Sequence, residues 1–264
     1  MIYNLPRKKR KRITNYLTFS SPNPFSISVA TPGWNGKLYC STDTKTWAEW
    51  TGNEVNATEE GGSYALYFGG VGNTKIAGGG SNKWALSGSS ISCTGNIESL
   101  LDYETVAAGH HPTLADSCYS YMFYGCTSLT TAPSLPATTL ATRCYSYMFY
   151  NCTSLTTAPS LPATTLAYSC YSYMFNNCTS LTTAPSLPAT TLAYSCYSYM
   201  FNGCTSIKLA ISKSREYDKE YRIPKSGNGV TATMALNNMF AQTGGTFTGT
   251  PSINTTYYTS NTIV

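Results

Sequence analysis

The chain writes one 26-residue sentence more than three times. CYSYMFYGCTSLTTAPSLPATTLATR, from Cys118, is followed by CYSYMFYNCTSLTTAPSLPATTLAYS, by CYSYMFNNCTSLTTAPSLPATTLAYS and by the fragment CYSYMFNGCTSI, which ends at Ile207. A fixed period of roughly 20 to 50 residues constrains a fold more than any local motif does. One copy cannot bury its own apolar face, so successive copies stack and share one core. The rhythm starts before Cys118, because Leu114 and Ala115 match Leu140 and Ala141.

Each copy has two halves. Cys118, Met122 and Cys126 recur at intervals of four, as do Tyr119 and Phe123. That spacing predicts one apolar face of a short helix. The second half, TSLTTAPSLPATTLA, carries Leu129, Leu135 and Leu140 around Pro133 and Pro136. The prolines forbid helix and favour an extended return. The expected coil is therefore one short helix and one extended strand per 26 residues.

The flanks read differently. Residues 1–16 form a basic arm, and residues 17–111 a β-rich, sandwich-like head. In the head, LTFS, FSISVA, KLYCST, YALYFGG and KWALSG are short apolar or alternating runs parted by turn signals such as TPGWNG and GGGSN. NIESLLDYETVA (96–107) switches to helical spacing. Residues 112–207 hold the repeats. Residues 208–264 are expected to supply a charged hairpin around REYDKEYR and a degenerate capping repeat, in which Met239 and Phe240 stand where Met200 and Phe201 stand.

MFYGCTSLTTAPSLPATTLA resembles the BspA-type leucine-rich repeats, whose core reads F-x-x-C-x-S-L followed by an extended, often proline-containing segment. The match covers Leu114 to Ile207 strongly and the capping repeat weakly. The resemblance implies an α/β leucine-rich-repeat solenoid closed by a C-terminal cap, used for adhesion or recognition, with no common catalytic residue. The LPATTLA variant behind a β-rich head with a basic MIYN-type arm also resembles virion proteins of phages and prophages from gut anaerobes. That second resemblance implies a tail-associated or decoration component on the phage particle, contacting host surface glycan or protein. Its partners would be other virion proteins through the arm and head, with a homo-oligomer as a further option. A bacterial cell-surface adhesin is the alternative.

Charge supports a neutral body with a cationic tail. Arg7, Lys8, Lys9, Arg10, Lys11 and Arg12 supply six positive charges, so a net charge of +5 leaves −1 for the remainder. Such a run is expected to be a solvated tail rather than a specific nucleic-acid element, and the phage resemblance implies that it serves as a docking arm. No run of 18 or more apolar residues is present and the arm is followed by no apolar stretch, so neither membrane insertion nor a secretory signal is expected.

Ten cysteines, eight of them in the repeats, raise disulfide and metal readings. Eight-residue spacing on a helix would part Cys118 and Cys126 by about 12 Å, beyond bridging reach, and it does not resemble zinc-binding CxxC spacing. The expectation is reduced, buried thiols filling equivalent holes, with no metal and no cofactor. Cys40 and Cys93 are left as a pair that the sequence does not decide.

Catalytic chemistry finds little purchase. His110 and His111 are the only histidines, and no GxSxG, Walker loop or HExxH occurs. Asp116 is the one carboxylate between residues 113 and 207, opposite a single base, Arg143. A polysaccharide depolymerase would want two flanking carboxylates; Glu59 with Glu60, or Glu216 with Asp218, are the pairs available, and these read as solvated loop residues. A non-enzymatic structural and recognition protein is expected.

Twelve tyrosines lie in the repeats. Tyr121, Tyr147, Tyr173 and Tyr199 occupy one equivalent position, so stacking should align them as a row suited to contact. Copy-to-copy changes fall at Tyr124, Tyr150, Asn176 and Asn202, at the following Gly125, Asn151, Asn177 and Gly203, and at Thr142-Arg143, Tyr168-Ser169 and Tyr194-Ser195. The tyrosine row together with Tyr124, Tyr150, Asn176 and Asn202 is the expected ligand-binding face.

Overall fold

A computed structural model describes residues 16–260. The basic arm, Arg7 to Arg12, lies outside the described residues. The head is built on β7 (Ser63–Val71), flanked by β1 (Leu17–Ser21) and β3 (Lys37–Ser41). Beyond β1 comes β9 (Ile91–Thr94), beyond β3 comes β4 (Ala48–Trp50), and β6 (Thr58–Glu60) pairs with the start of β7. A smaller sheet joins β2 (Ser26–Val29) to β5 (Val55–Asn56) and β8 (Trp84–Ser87). The two sheets meet through aromatic rings: Trp84 of β8 packs 5.2 Å from Phe68 and 5.9 Å from Phe19 of the larger sheet. Helix α1 (Ser99–Ala107) lies on β7, buries Leu100, Leu101 and Val106, and runs where the helical spacing predicts. The approach is so close that a Cβ at Gly70 would overlap the carbonyl oxygen of Leu100.

The larger sheet does not stop at the head. Strand β10 (Leu129–Thr131), in the first repeat copy, pairs in parallel with β9 through Leu129 and Ile91. The amides of Ile76 and Ala77 donate to the carbonyl of Cys118, and that of Trp84 donates to Met122. The head thus closes the carbonyl-bearing end of the first copy, and one contiguous apolar core runs from Leu17 to Tyr257.

The fold corrects the sequence reading at its centre. The expected α/β leucine-rich-repeat solenoid, with a short helix in each coil, is not formed. The chain is predominantly β, in three sheets, and among the described residues α1 is the one α-helix and it precedes the repeats. The half of each copy read as helical is instead a succession of tight turns. Left-handed residues recur every fourth position: Ser117, Tyr121 and Gly125, then Arg143, Tyr147 and Asn151, then Ser169, Tyr173 and Asn177, then Ser195, Tyr199 and Gly203. No right-handed helix accommodates such a residue every four. An interval of four puts Cys118, Met122 and Cys126 on one face whether the backbone is helical or turns repeatedly, which is why the pattern misleads.

These turns are joined by two alternating sets of hydrogen bonds. The amides of Cys118, Ser120, Met122 and Tyr124 donate back three residues, closing the turns. The amides of Tyr119, Tyr121, Phe123 and Gly125 donate onward to Cys144, Ser146, Met148 and Tyr150 of the next copy. The same offset of 25 residues links the second copy to the third and the third to the fourth. The extended halves meet only in short bridges, Thr131 to Thr157 to Thr183 and Thr139 to Thr165.

Past Ile207 the offset grows to 38, because residues inserted after the fourth copy leave the ladder to supply two strands of a separate sheet: Tyr197, Tyr199 and Phe201 donate to Ala235, Asn237 and Met239. That sheet orders β12 (Lys219–Arg222), β14 (Thr256–Thr259), β11 (Lys208–Ala210) and β13 (Gly244–Gly245). The expected hairpin across REYDKEYR is therefore absent. β11 and β12 do not pair with each other but lie on either side of β14. Phe240 continues the phenylalanine row, 5.4 Å from Phe201.

Candidate functional site

The expected tyrosine row is formed, in a geometry that limits its chemistry. Tyr121, Tyr147, Tyr173 and Tyr199 stand face to face with successive ring centroids 4.6 Å apart and planes within 6° of parallel. Tyr124 and Tyr150 make a second pair at 4.8 Å beside them. The faces between neighbouring rings are covered, so along its length the row offers ring edges and hydroxyls rather than open platforms for stacking. At one end Asn238 Nδ2 donates to the Tyr199 hydroxyl at 2.9 Å; at the other Lys83 Nζ lies 5.4 Å from the Tyr124 ring centre. Burial, with the neighbouring phenols second, pushes the Tyr147 hydroxyl up to about 12. Burial likewise raises Tyr121 and Tyr173, so these three hydroxyls keep their protons and serve as donor and acceptor.

Every tyrosine of this row sits at positive φ, between 56° and 63°. A β-carbon in that region costs about 1–2 kcal/mol, a cost offset by the onward amide bonds and the ring stack. The next left-handed position reads Gly125, Asn151, Asn177 and Gly203. Glycine and asparagine are the residues that enter this region most readily, so this copy-to-copy variation serves the backbone. The alternation of Gly and Asn at one repeat position was the signal of a non-helical turn. Of the other expected contact residues, Asn176 is buried, and its amide donates to Asn202 Oδ1 at 3.2 Å. It closes a contact between copies instead of facing a ligand.

A more open file runs alongside. The Arg143 guanidinium lies 5.1 Å from the Tyr168 ring centre, Tyr168 stacks on Tyr194 at 5.5 Å, and the Tyr194 hydroxyl donates to Met234 Sδ at 3.4 Å. Tyr168 and Tyr194 are 41% and 43% exposed, so these rings are far more accessible than the core rows. A hydrogen bond from Arg143 draws the Tyr168 hydroxyl below its ordinary value. Arg143 also acts electrostatically on Tyr121, which places the file next to the first row.

The cysteines are all free. Their place is explained by the turn ladder: Cys152, Cys178 and Cys204 donate Sγ–H to the carbonyls of Phe123, Phe149 and Phe175 in the preceding copy at 3.0–3.1 Å. Burial raises these thiols, that of Cys178 to about 12. Cys40 and Cys93, the undecided pair, are likewise unbridged. No cluster of three potential metal ligands occurs among the described residues.

His111 and Glu98 meet at the head-to-repeat junction, with Nδ1 2.7 Å from Oε2. Glu98 is fully buried and its Oε1 has no partner. Burial raises its carboxyl above the ordinary value, with the His111 contact opposing the shift. The carboxylate pairs considered for hydrolysis are exposed: Glu59 and Glu60 are adjacent residues of β6, and Glu216 and Asp218 precede β12. No helix among the described residues is long and apolar enough to cross a membrane. No family model, curated protein or solved structure matches the chain.

Proposed function

We propose that the protein is a non-enzymatic recognition and structural component, which contacts a cell-surface glycan or protein through the tyrosine-bearing face of its repeats. The observation that carries this reading is the open file of Arg143, Tyr168, Tyr194 and Met234 beside the stacked row of Tyr121 to Tyr199. Tyrosine combines a large apolar contact with a hydrogen-bonding tip at low entropy cost, and here the rings are held by a backbone that cross-links each copy to the next. Because the inner row shows only its edges, the open rings of the outer file supply the apolar contact, and the inner hydroxyls supply directional hydrogen bonds.

Placement on a phage particle, tail-associated or as a decoration, rests on the resemblance of the repeat and arm to phage and prophage proteins. In that setting Arg7 to Arg12 would dock the chain into the particle. The test is binding of fluorescent protein to a panel of intact gut anaerobes, beside the double variant Tyr168→Ser, Tyr194→Ser, whose exposed rings can be removed without opening the core. Binding to some strains that is lost in the variant is expected. Equal binding by both proteins, or binding to none, overturns the reading.

A further inference from the structure

The ladder of turns is directional, and its last rung is incomplete. In each earlier rung a set of amides points toward the C-terminal end and meets carbonyls of the next rung. In the fourth copy Ser195, Tyr197, Tyr199 and Phe201 donate to Thr233, Ala235, Asn237 and Met239. The equivalent donors one rung later are Met234, Leu236, Asn238 and Phe240. Two of these are capped by the chain itself, Asn238 by Thr250 Oγ1 at 2.8 Å and Phe240 by the Gly249 carbonyl at 2.9 Å. The amides of Met234 and Leu236 have no acceptor among the described residues. A cavity of about 410 Å³ lies where the next rung would lie, lined by Thr231, Met234, Leu236, Thr250 and Ile253 among others. Met234 is 48% exposed and nearby Val230 65% exposed.

We propose that this end of the ladder is a docking edge for an uncharged peptide segment of another protein that takes up the turned path of a rung. The segment's backbone carbonyls accept from the Met234 and Leu236 amides, and one apolar side chain enters the cavity between Met234 and Ile253. The mode is the one by which the rungs already join each other, continued by one more rung of turned backbone, as backbone pairing at an exposed edge adds a segment elsewhere. An edge that presents donors selects an occupant that presents acceptors in the same register. Two copies of this chain meeting end to end would set amide against amide. A head-to-tail arrangement is blocked, because Ile76, Ala77 and Trp84 of the head already occupy the carbonyls of Cys118 and Met122, and Ser120 between them is buried. A cationic segment is disfavoured by the outward-pointing N–H groups.

The proposal is tested by titrating the intact ¹⁵N-labelled chain with the acetylated and amidated peptide ATMALNN, a copy of residues 232–238, which accepts from Ser195 and Tyr197 within the fold. Saturable shifts of the Met234 and Leu236 amide signals are expected, with binding weakened about tenfold or more in Ile253→Arg and, as a second variant entering the cavity from its other wall, in Ala232→Trp. Three results overturn it: no shift at millimolar peptide, shifts confined to the tyrosine face, or the same shifts with acetate alone. Peptide binding seen only after removal of residues 1–15 also overturns it, since the edge would then be covered by the chain's own arm.

Discussion

The thiol of Cys152 donates to the carbonyl oxygen of Phe123 at 3.1 Å, across the boundary between two copies. Serine makes the opposite reach: Ser120 and Ser146 donate forward to the carbonyls of Ser146 and Ser172. Each buried rung is thus tied backward by sulfur and forward by oxygen, and both residue types recur because each fits one place in the rung. Replacing Cys152 by alanine removes a fully buried sulfur and its bond, at an expected cost of about 1–2 kcal/mol. Cys178→Ala should cost nearly the same, since its surroundings are the same. Urea unfolding of the single variants measures both, and a loss below about 0.5 kcal/mol would show that the thiols merely occupy space.

Alkali should unfold the protein cooperatively. The buried thiols of Cys126, Cys170 and Cys178 are raised from an ordinary 9.0 to about 12. Between those values the unfolded chain has released protons that the folded chain keeps, so stability falls as pH rises, by about 1.4 kcal/mol per pH unit for each thiol. Below the ordinary thiol value this contribution is fully present. Circular dichroism against pH should show loss of structure beginning above about pH 9, and iodoacetamide should leave the repeat thiols unmodified at neutral pH until urea is added.

His111→Ala should destabilise the protein near neutral pH by about 1–3 kcal/mol, because it strips the fully buried Glu98 of its side-chain partner. The folded carboxyl is raised, so its protonated form is favoured in the fold. As pH falls through the folded value the buried carboxyl takes up its proton and becomes neutral, so the penalty of leaving it without His111 shrinks, and below the ordinary 4.5 the carboxyl is neutral in the unfolded chain as well. Thermal melts at pH 7 and pH 4 should therefore differ for the variant more than for the parent. A penalty equal at both pH values would rule out Glu98 ionisation as its source.

Tyr147 separates backbone strain from ring stacking. Its φ is 58°, and its ring lies 4.6 Å from both Tyr121 and Tyr173. Tyr147→Phe keeps the stack and should change stability by less than about 0.5 kcal/mol. Tyr147→Asn suits the left-handed backbone better yet loses both ring contacts, and should cost about 1–2 kcal/mol. If asparagine proves neutral or stabilising by thermal melting, the stack contributes nothing.

Deleting residues 144–169, one whole copy, should leave a folded protein, since Arg143 would then precede Cys170 and every onward bond would find its equivalent. Deleting 13 residues should unfold it, because the 25-residue offset between amide and carbonyl would be lost. Removing residues 16–98 should do the same, by stripping the Cys118 and Met122 carbonyls of the amides that cap them. Soluble expression and amide exchange distinguish these cases.

The repeat itself determined that copies stack, that Cys118, Tyr119, Met122 and Phe123 point inward, and that equivalent tyrosines align. These follow from identity at a fixed period, whatever path the backbone takes within a copy. Only the tertiary structure decided the path. An apolar interval of four is compatible with helix and with tight turns alike, and the choice falls to turns because Tyr119, Tyr121 and Phe123 gain amide bonds to the next copy that a helix would spend internally. The union of β10 with β9, the burial of Glu98 against His111 and the unfilled edge at Leu236 were equally beyond the sequence, since each depends on which residues distant along the chain meet. Periodicity fixes what faces the core, and long-range hydrogen bonding fixes the shape of the chain that carries it.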